Sequence, residues 1–251
     1  MRPPGAAGIV VAMPPLLEVS QLERRDAGRV RLAGVSFTVA QGEVVGLLGL
    51  NGAGKSTTLA LIAGALAPSA GRVLLDGRDL ATAPHALRAC IGFLPEPPPL
   101  YPDFTVDEFL RFAARLRGMD RAAARTAATR VRERCGLAQV GRRLIGQLSK
   151  GYRQRVGLAQ AIVHDPPLVL LDEPTAGLDP AQCREARELI AELGRERAVL
   201  FSSHLLDEVE RVCTRVEVLH EGRPAGGFAL RADGDSAGLE ARFHALTGGA
   251  G

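Results

Sequence analysis

Lysine is almost missing from this chain. Of its 31 basic residues only Lys55 and Lys150 are lysine, and the rest are arginine. A compact ammonium on a flexible stem does what a planar guanidinium does not, so the two exceptions are informative. Long apolar runs are missing too. None approaches the roughly 18–20 residues that span a bilayer, so any membrane role has to come through a partner. The start, MRPPGAAGIVVAMPP, has one arginine and a short apolar patch, which argues against a secretory leader. Residues 1–14 read as a disordered extension, and Met13 offers a second start. The four cysteines, Cys90, Cys135, Cys183 and Cys213, form no CxxC pair and no Cys/His cluster. They fit small buried residues in a reducing cytoplasm better than a zinc site or a disulfide framework. No internal repeat is visible. A formal charge of +3 neither demands nor excludes an acidic partner.

What is present is enough for a large core. At 251 residues, 46% hydrophobic and 24% charged, the chain fits one α/β domain or a domain with a subdomain. Short strands and tight turns fill residues 15–50, with a Gln41-Gly42 turn before the apolar run Glu43–Leu48. A helix is expected from about Ser56 to Leu66, then a strand with an Asp76-Gly77 turn. From about Ala83 to Ala161 helical patterns dominate, with a capping box at Thr105 and Glu108 and a cap at Asp120. Alternation then returns: strand Leu168–Asp172, helix from Pro180 capped by Asp179, strand Ala198–Ser202, helix Leu205–Cys213, strand Arg215–Leu219. The Gly/Ala-rich tail holds one short helix near Leu239–Leu246. The arginine-rich stretch Arg121–Arg143 has no interleaved aromatics to stack on bases, so a solvated helix face is the simpler reading.

Two stretches carry chemistry. GLNGAGKST, Gly49–Thr57, matches GxxxxGK[ST] between an expected strand and an expected helix, which is the context that motif requires. Its glycines let backbone N–H groups converge on phosphate oxygens at the positive end of a helix. Lys55 supplies a point charge for the β/γ-phosphates and the Ser56 hydroxyl a ligand for Mg²⁺. Gly49, Leu50, Asn51, Gly52, Ala53, Gly54 and Thr57 complete the loop. LVLLDEP, Leu168–Pro174, is a buried strand ending in two carboxylates. Successive strand side chains point opposite ways, so the two should have different tasks. Asp172 suits Mg²⁺, and Glu173 suits orienting or deprotonating an attacking water.

With these in place the chain resembles the ATP-binding-cassette (ABC) ATPases over nearly all of residues 16–222. The order carries the resemblance: GLNGAGKST, GFLPE, LSKGYRQ, LLDEP, AGLD, SSH. It implies an α/β fold with a P-loop NTPase (RecA-like) core, an antiparallel β subdomain and an inserted helical subdomain at about 97–163. The ATPase domain would run over 15–225, with 226–251 a short tail. Glu96 takes the Q-loop position, which senses Mg²⁺ and the membrane partner. Ser149, Lys150 and Gly151 lie in the signature, Asp179 in the D-loop, and His204 is the switch histidine. Ser149 sits where a helix N-cap belongs, so its hydroxyl and the first free N–H groups would form a second anion site. In the family that site faces the ATP held by a second cassette, two ATP molecules lie in the dimer, and closure drives membrane-spanning permease subunits. Cytoplasmic placement at the membrane, through the permease, follows from the same likeness.

Three departures stand out. The common signature LSGGQ has become LSKGY, so Lys150 replaces a glycine and Tyr152 a glutamine. SKGYRQR and a glutamate at the Q-loop resemble the bacterial ABC-2 type exporter branch, including gliding-motility and multidrug systems. The aromatic that stacks on adenine aligns with Asp26, leaving Arg24 or Arg25 as a guanidinium platform. Little more than LEARFHALTGG remains of a longer C-terminal region. Two other readings compete: an ABC ATPase acting on nucleic acid or ribosomes, and a degenerate cassette that binds ATP without turnover. The first lacks paired cassettes, coiled-coil arms or zinc insertions, and Glu173 and His204 argue against the second.

Overall fold

The computed structural model describes residues 15–230 and 236–248. The extension expected at 1–14 lies outside the described residues, as do 231–235 and 249–251. The chain opens with β1 (Leu17–Asp26) and β2 (Arg29–Val39), an antiparallel pair turning at Ala27 and Gly28, both at positive φ. β3 (Val44–Leu48) leads through the glycine-rich loop into α1 (Lys55–Ile62). β4 (Ala70–Leu75) and β5 (Arg78–Asp79) then join β1 and β2 in a four-stranded antiparallel sheet ordered β2-β1-β4-β5. α2 (Pro84–Arg88) and β6 (Ile91–Leu94) precede three longer helices, α3 (Val106–Leu116), α4 (Arg121–Arg134) and α5 (Lys150–Ile162). β7 (Leu168–Asp172), α6 (Pro180–Leu193), β8 (Ala198–Ser203), α7 (Leu206–Val212), β9 (Arg215–His220), β10 (Arg223–Ala229) and α8 (Ser236–Thr247) complete the described chain.

The second sheet has the order β10-β9-β3-β8-β7-β6, parallel except where β10 pairs with β9. Both of its faces are covered, so its central strands read as continuous apolar runs rather than alternating ones. Alternation survives in which core each residue joins. Val169, Leu171, Val199 and Phe201 pack with α3, α4 and α5, through Leu110, Val131, Val156 and Ile162. Leu168, Leu170, Ala198 and Leu200 pack with α1 and the antiparallel sheet, through Leu59, Ile62, Leu22 and Val73. This period of two continues to the strand ends, so Asp172 and Ser202 face the α1 side.

Three expectations are corrected. α1 ends at Ile62, not Leu66, because Gly64 turns left-handed (φ 67) and closes it. Ala65 N–H donates to the Ala60 carbonyl and Gly64 N–H to that of Leu61, a Schellman stop. Within the stretch read as helical lies β6, the edge of the parallel sheet. Gly92 is there because α5 crosses so closely that an added Cβ would stand 2.3 Å from the Ala161 carbonyl oxygen. Finally, the expected break between 225 and 226 falls inside β10, which pairs with β9 from Arg223 to Ala229.

Candidate active site

The ends of β3, β7 and β8 meet at one edge of the sheet, with β8 between the other two. Ligands of parallel α/β sheets lie at this carboxyl edge. The loop leaving β3 makes its turns at Gly52 (φ 84) and Gly54 (φ 102), a conformation that costs glycine nothing. Gly49 is needed for space, since a Cβ there would meet the Leu219 carbonyl oxygen at 2.5 Å. Leu50, Asn51 and Gly52 are exposed, Ala53 is buried, and Thr57 is half-buried at the start of α1. Lys55 is 6% exposed and curls back over the loop, donating to the Gly49 carbonyl at 2.7 Å and the Leu50 carbonyl at 3.3 Å. Its ammonium lies 3.4 Å from Glu173 Oε1. A buried charge of this kind is tolerable only when paired.

Ser56 Oγ donates to Asp172 Oδ1 at 3.1 Å, joining the first turn of α1 to the end of β7. The same Asp172 oxygen accepts from Ser202 Oγ at 2.6 Å. Ser202 Oγ in turn accepts from the backbone N–H of Glu173 at 3.0 Å. Glu173 has φ 45, a left-handed backbone that a non-glycine residue adopts only under constraint. The constraint is visible on both sides: Ser202 takes its N–H, and Gln154 Nε2 donates to its carbonyl at 3.4 Å and to that of Pro174 at 3.1 Å. The turn swings the carboxylate between two basic groups, Lys55 at one oxygen and His204 Nδ1 at the other, 2.9 Å away. His204 itself is exposed at the end of β8. Beneath it, Glu208 accepts from Thr175 Oγ1 at 2.5 Å and Ser203 Oγ at 2.8 Å, pinning the loop after β7 to the start of α7.

The structure thus brings Lys55, Ser56, Asp172, Glu173 and His204 into one hydrogen-bonded group. Ser149, Lys150, Gly151 and Asp179 lie apart from it, at the first turns of α5 and α6, and among the described residues no hydrogen bond links them to one another. Ser149 caps α5, accepting from Tyr152 N–H at 3.4 Å. Asp179 caps α6, accepting from Gln182 N–H at 2.9 Å, while Gln182 Oε1 accepts from Asp179 N–H at 3.4 Å. Gly151 lies so close to Gln182 that a Cβ would stand 2.3 Å from its Oε1. Glu96 is exposed after β6 and lines a groove of about 660 Å³ that it shares with Lys150, Arg153 and Gln154. Gln154 is the member of that groove bonded to the Glu173 loop. Arg24 is held by Asp26 (Nε to Oδ1, 2.7 Å) and donates to the Ala67 carbonyl at 2.6 Å, whereas Arg25 stays largely exposed. Gln154 and Ser202 went unassigned from sequence, although both lie inside quoted motifs, LSKGYRQ and SSH.

The Ser56 hydroxyl and Asp172 carboxylate are hard oxygen donors side by side. Two protein oxygens completed by phosphate and water are what Mg²⁺ ordinarily takes, so the pair fits that ion.

A parallel sheet with a phosphate-cradling loop after one strand and an Asp-Glu pair two strands away defines a P-loop nucleoside triphosphatase. The model of the ABC transporter family matches residues 32–176. The ABC transporter ATP-binding protein NatA of Bacillus subtilis (strain 168) is 42% identical over 190 residues, 75% of this chain and 77% of that protein. The Nod factor export ATP-binding protein I of Burkholderia orbicola (strain AU 1054) is 39% identical over 212 residues, 82% of this chain and 68% of its own. A solved ATP-binding subunit of an ABC transporter superposes with a TM-score of 0.80 at 33% identity, covering 91% of this chain and 99% of its own. The chain belongs to the ABC transporter family and is one of its ATP-hydrolysing, ATP-binding subunits. Among the described residues no helix is long and apolar enough to cross a membrane.

Proposed function

We propose that this chain powers an ABC-2 type exporter as a cytoplasmic ATPase subunit, pairing with a second cassette around two ATP and driving separate membrane-spanning subunits. The SKGYRQR signature and Glu96 support the branch, and so does the similarity to a protein named for Nod factor export. The arginine-rich α4 does not speak for nucleic acid. Arg132 pairs with Asp107 and Arg134 with Glu192, both at 2.9 Å, and the two flank the face that Ala124, Ala127, Ala128 and Val131 bury.

The placing of Glu173 carries the mechanism. Backbone N–H groups of the Gly49–Thr57 loop and the Lys55 ammonium bind the β- and γ-phosphates, helped by the N-terminus of α1. Ser56 and Asp172 would hold Mg²⁺, which offsets charge on the phosphates. Glu173, poised beside Lys55, orients the attacking water and takes its proton. His204 holds the other carboxylate oxygen and contacts the γ-phosphate side. Ser149 and the first N–H groups of α5 serve the nucleotide of the opposite cassette, with Gly151 and Asp179 shaping that face. Glu173→Gln keeps the shape and removes the base. ATP affinity by calorimetry should persist while turnover falls by about 10²–10⁴-fold, the usual worth of a general base. Unchanged turnover would overturn the assignment.

A further inference from the structure

Lys150 stands at the exposed start of α5, where its charge invites the reading that it serves a phosphate. Its contacts say otherwise. A Cβ built on Gly177 would meet Lys150 Nζ at 2.2 Å, Cε at 2.6 Å and Cδ at 2.9 Å, and these are the three nearest atoms. The side chain is therefore laid flat across the α-carbon of Gly177, in the loop between β7 and α6. Gly177 is required by its positive φ of 72, and its missing side chain leaves the space that the Lys150 stem fills. Among the described residues the ammonium makes no hydrogen bond or ion pair, so contact along the stem is what joins the two segments.

The contact belongs to a stripe. Lys150 and Gln154 are four residues apart and share one side of α5. Gln154 bonds the Glu173 and Pro174 carbonyls, Gly151 fits against Gln182, and Lys150 covers Gly177 between them. Two turns close the loop, Ala176 N–H to the Glu173 carbonyl and Leu178 N–H to that of Thr175, both 3.1 Å, and outside it the Cys183 thiol reaches the Thr175 and Leu178 carbonyls at 3.9 and 3.7 Å. It carries Asp179, the cap of α6.

We propose that Lys150 is a positioning residue within its own subunit: its stem clamps the loop Ala176–Asp179 to the first turn of α5, fixing that loop relative to Ser149 and Glu173. The clamp itself is independent of the proposed dimer. Its effect on turnover rests on that reading.

Hydrogen exchange of the full-length protein without nucleotide tests the clamp. In Lys150→Ala the amides of Ala176 and Leu178 should exchange roughly tenfold faster, equivalent to about 1.4 kcal/mol in the opening equilibrium. In Lys150→Met, which keeps an unbranched stem and loses the charge, exchange should match the parent protein. ATPase assays should show a lower kcat with unchanged KM for ATP in Lys150→Ala, and recovery in Lys150→Met. Unaltered exchange in Lys150→Ala overturns the proposal. So does Lys150→Met behaving like Lys150→Ala, because the charge would then be the active part. Exchange as predicted in a parent protein whose ATPase ignores the Glu173→Gln change would leave the clamp standing and sink the catalytic reading instead.

Discussion

Glu173 holds a backbone conformation that costs a residue with a Cβ on the order of 1–3 kcal/mol. The structure offsets it with two side chains that reach the peptide groups on either side of Cα. Ser202 is the more economical of them, because one hydroxyl accepts from Glu173 N–H and donates to Asp172. Ser202→Ala therefore strands a buried N–H and removes one of the two hydroxyls that donate to Asp172 Oδ1, leaving that of Ser56. Loss of one such partner costs about 1–3 kcal/mol, readable as a lower urea midpoint with an unchanged slope. ATPase should fall with it, since the carboxylate is no longer swung toward Lys55. Full activity in Ser202→Ala would mean that Gln154 alone sets the turn. Lys55 differs in kind. Its buried ammonium is already satisfied by two carbonyls and Glu173, so phosphate has to compete with these partners in the same small space.

At the scale of elements, close approach rather than propensity decides several positions. Gly46 lies mid-strand in β3, where glycine is a poor strand former. α7, its cap Cys213 and β9 explain it: an added Cβ would meet Val209 Cγ1 at 2.7 Å, Cys213 Sγ at 2.9 Å and Val216 Cγ1 at 3.2 Å. Gly46→Ala should cost about 1–3 kcal/mol of stability through overpacking, measured by chemical denaturation, and neutrality there would contradict the tight α7 packing. The same physics marks what could be read beforehand. The buried strands at Val44–Leu48, Leu168–Asp172 and Ala198–Ser203, and the caps at Thr105, Asp120, Ser149 and Asp179, are local signals and are legible. β6 is not. Four residues with a glycine among them follow a helix and precede a proline-rich loop, and only its partner β7 makes it a strand. β10 likewise reads as Gly/Ala-rich tail until β9 pairs with it. In the site, residue types and order announce Lys55, Asp172 and Glu173. The Ser202 bridge, the Gln154 brace and the Lys150 contact are long-range, and no spacing predicts them.

At the scale of the molecule, the two groups of site residues have separate addresses. Lys55, Ser56, Asp172, Glu173 and His204 gather at the carboxyl edge of the parallel sheet. Ser149 and Gly151 sit at the N-terminus of α5, with Gly151 close against Gln182 in the first turn of α6. No hydrogen bond of Ser149 or Asp179 among the described residues reaches the Gly49–Thr57 loop. In the function proposed above, each nucleotide lies between the phosphate loop of one cassette and the Ser149 helix of another. A two-fold pair gives two such sites, and a lesion at either half should then be complemented by its partner. Lys55→Ala and Ser149→Arg proteins should each be inactive alone. Mixed in equal amounts, half the dimers pair one of each, and each such pair retains one intact site. ATPase should recover to about a quarter of the parent value for independent sites. No recovery at any ratio, with mixed dimers shown to form, would contradict a shared site and return both halves to a single chain.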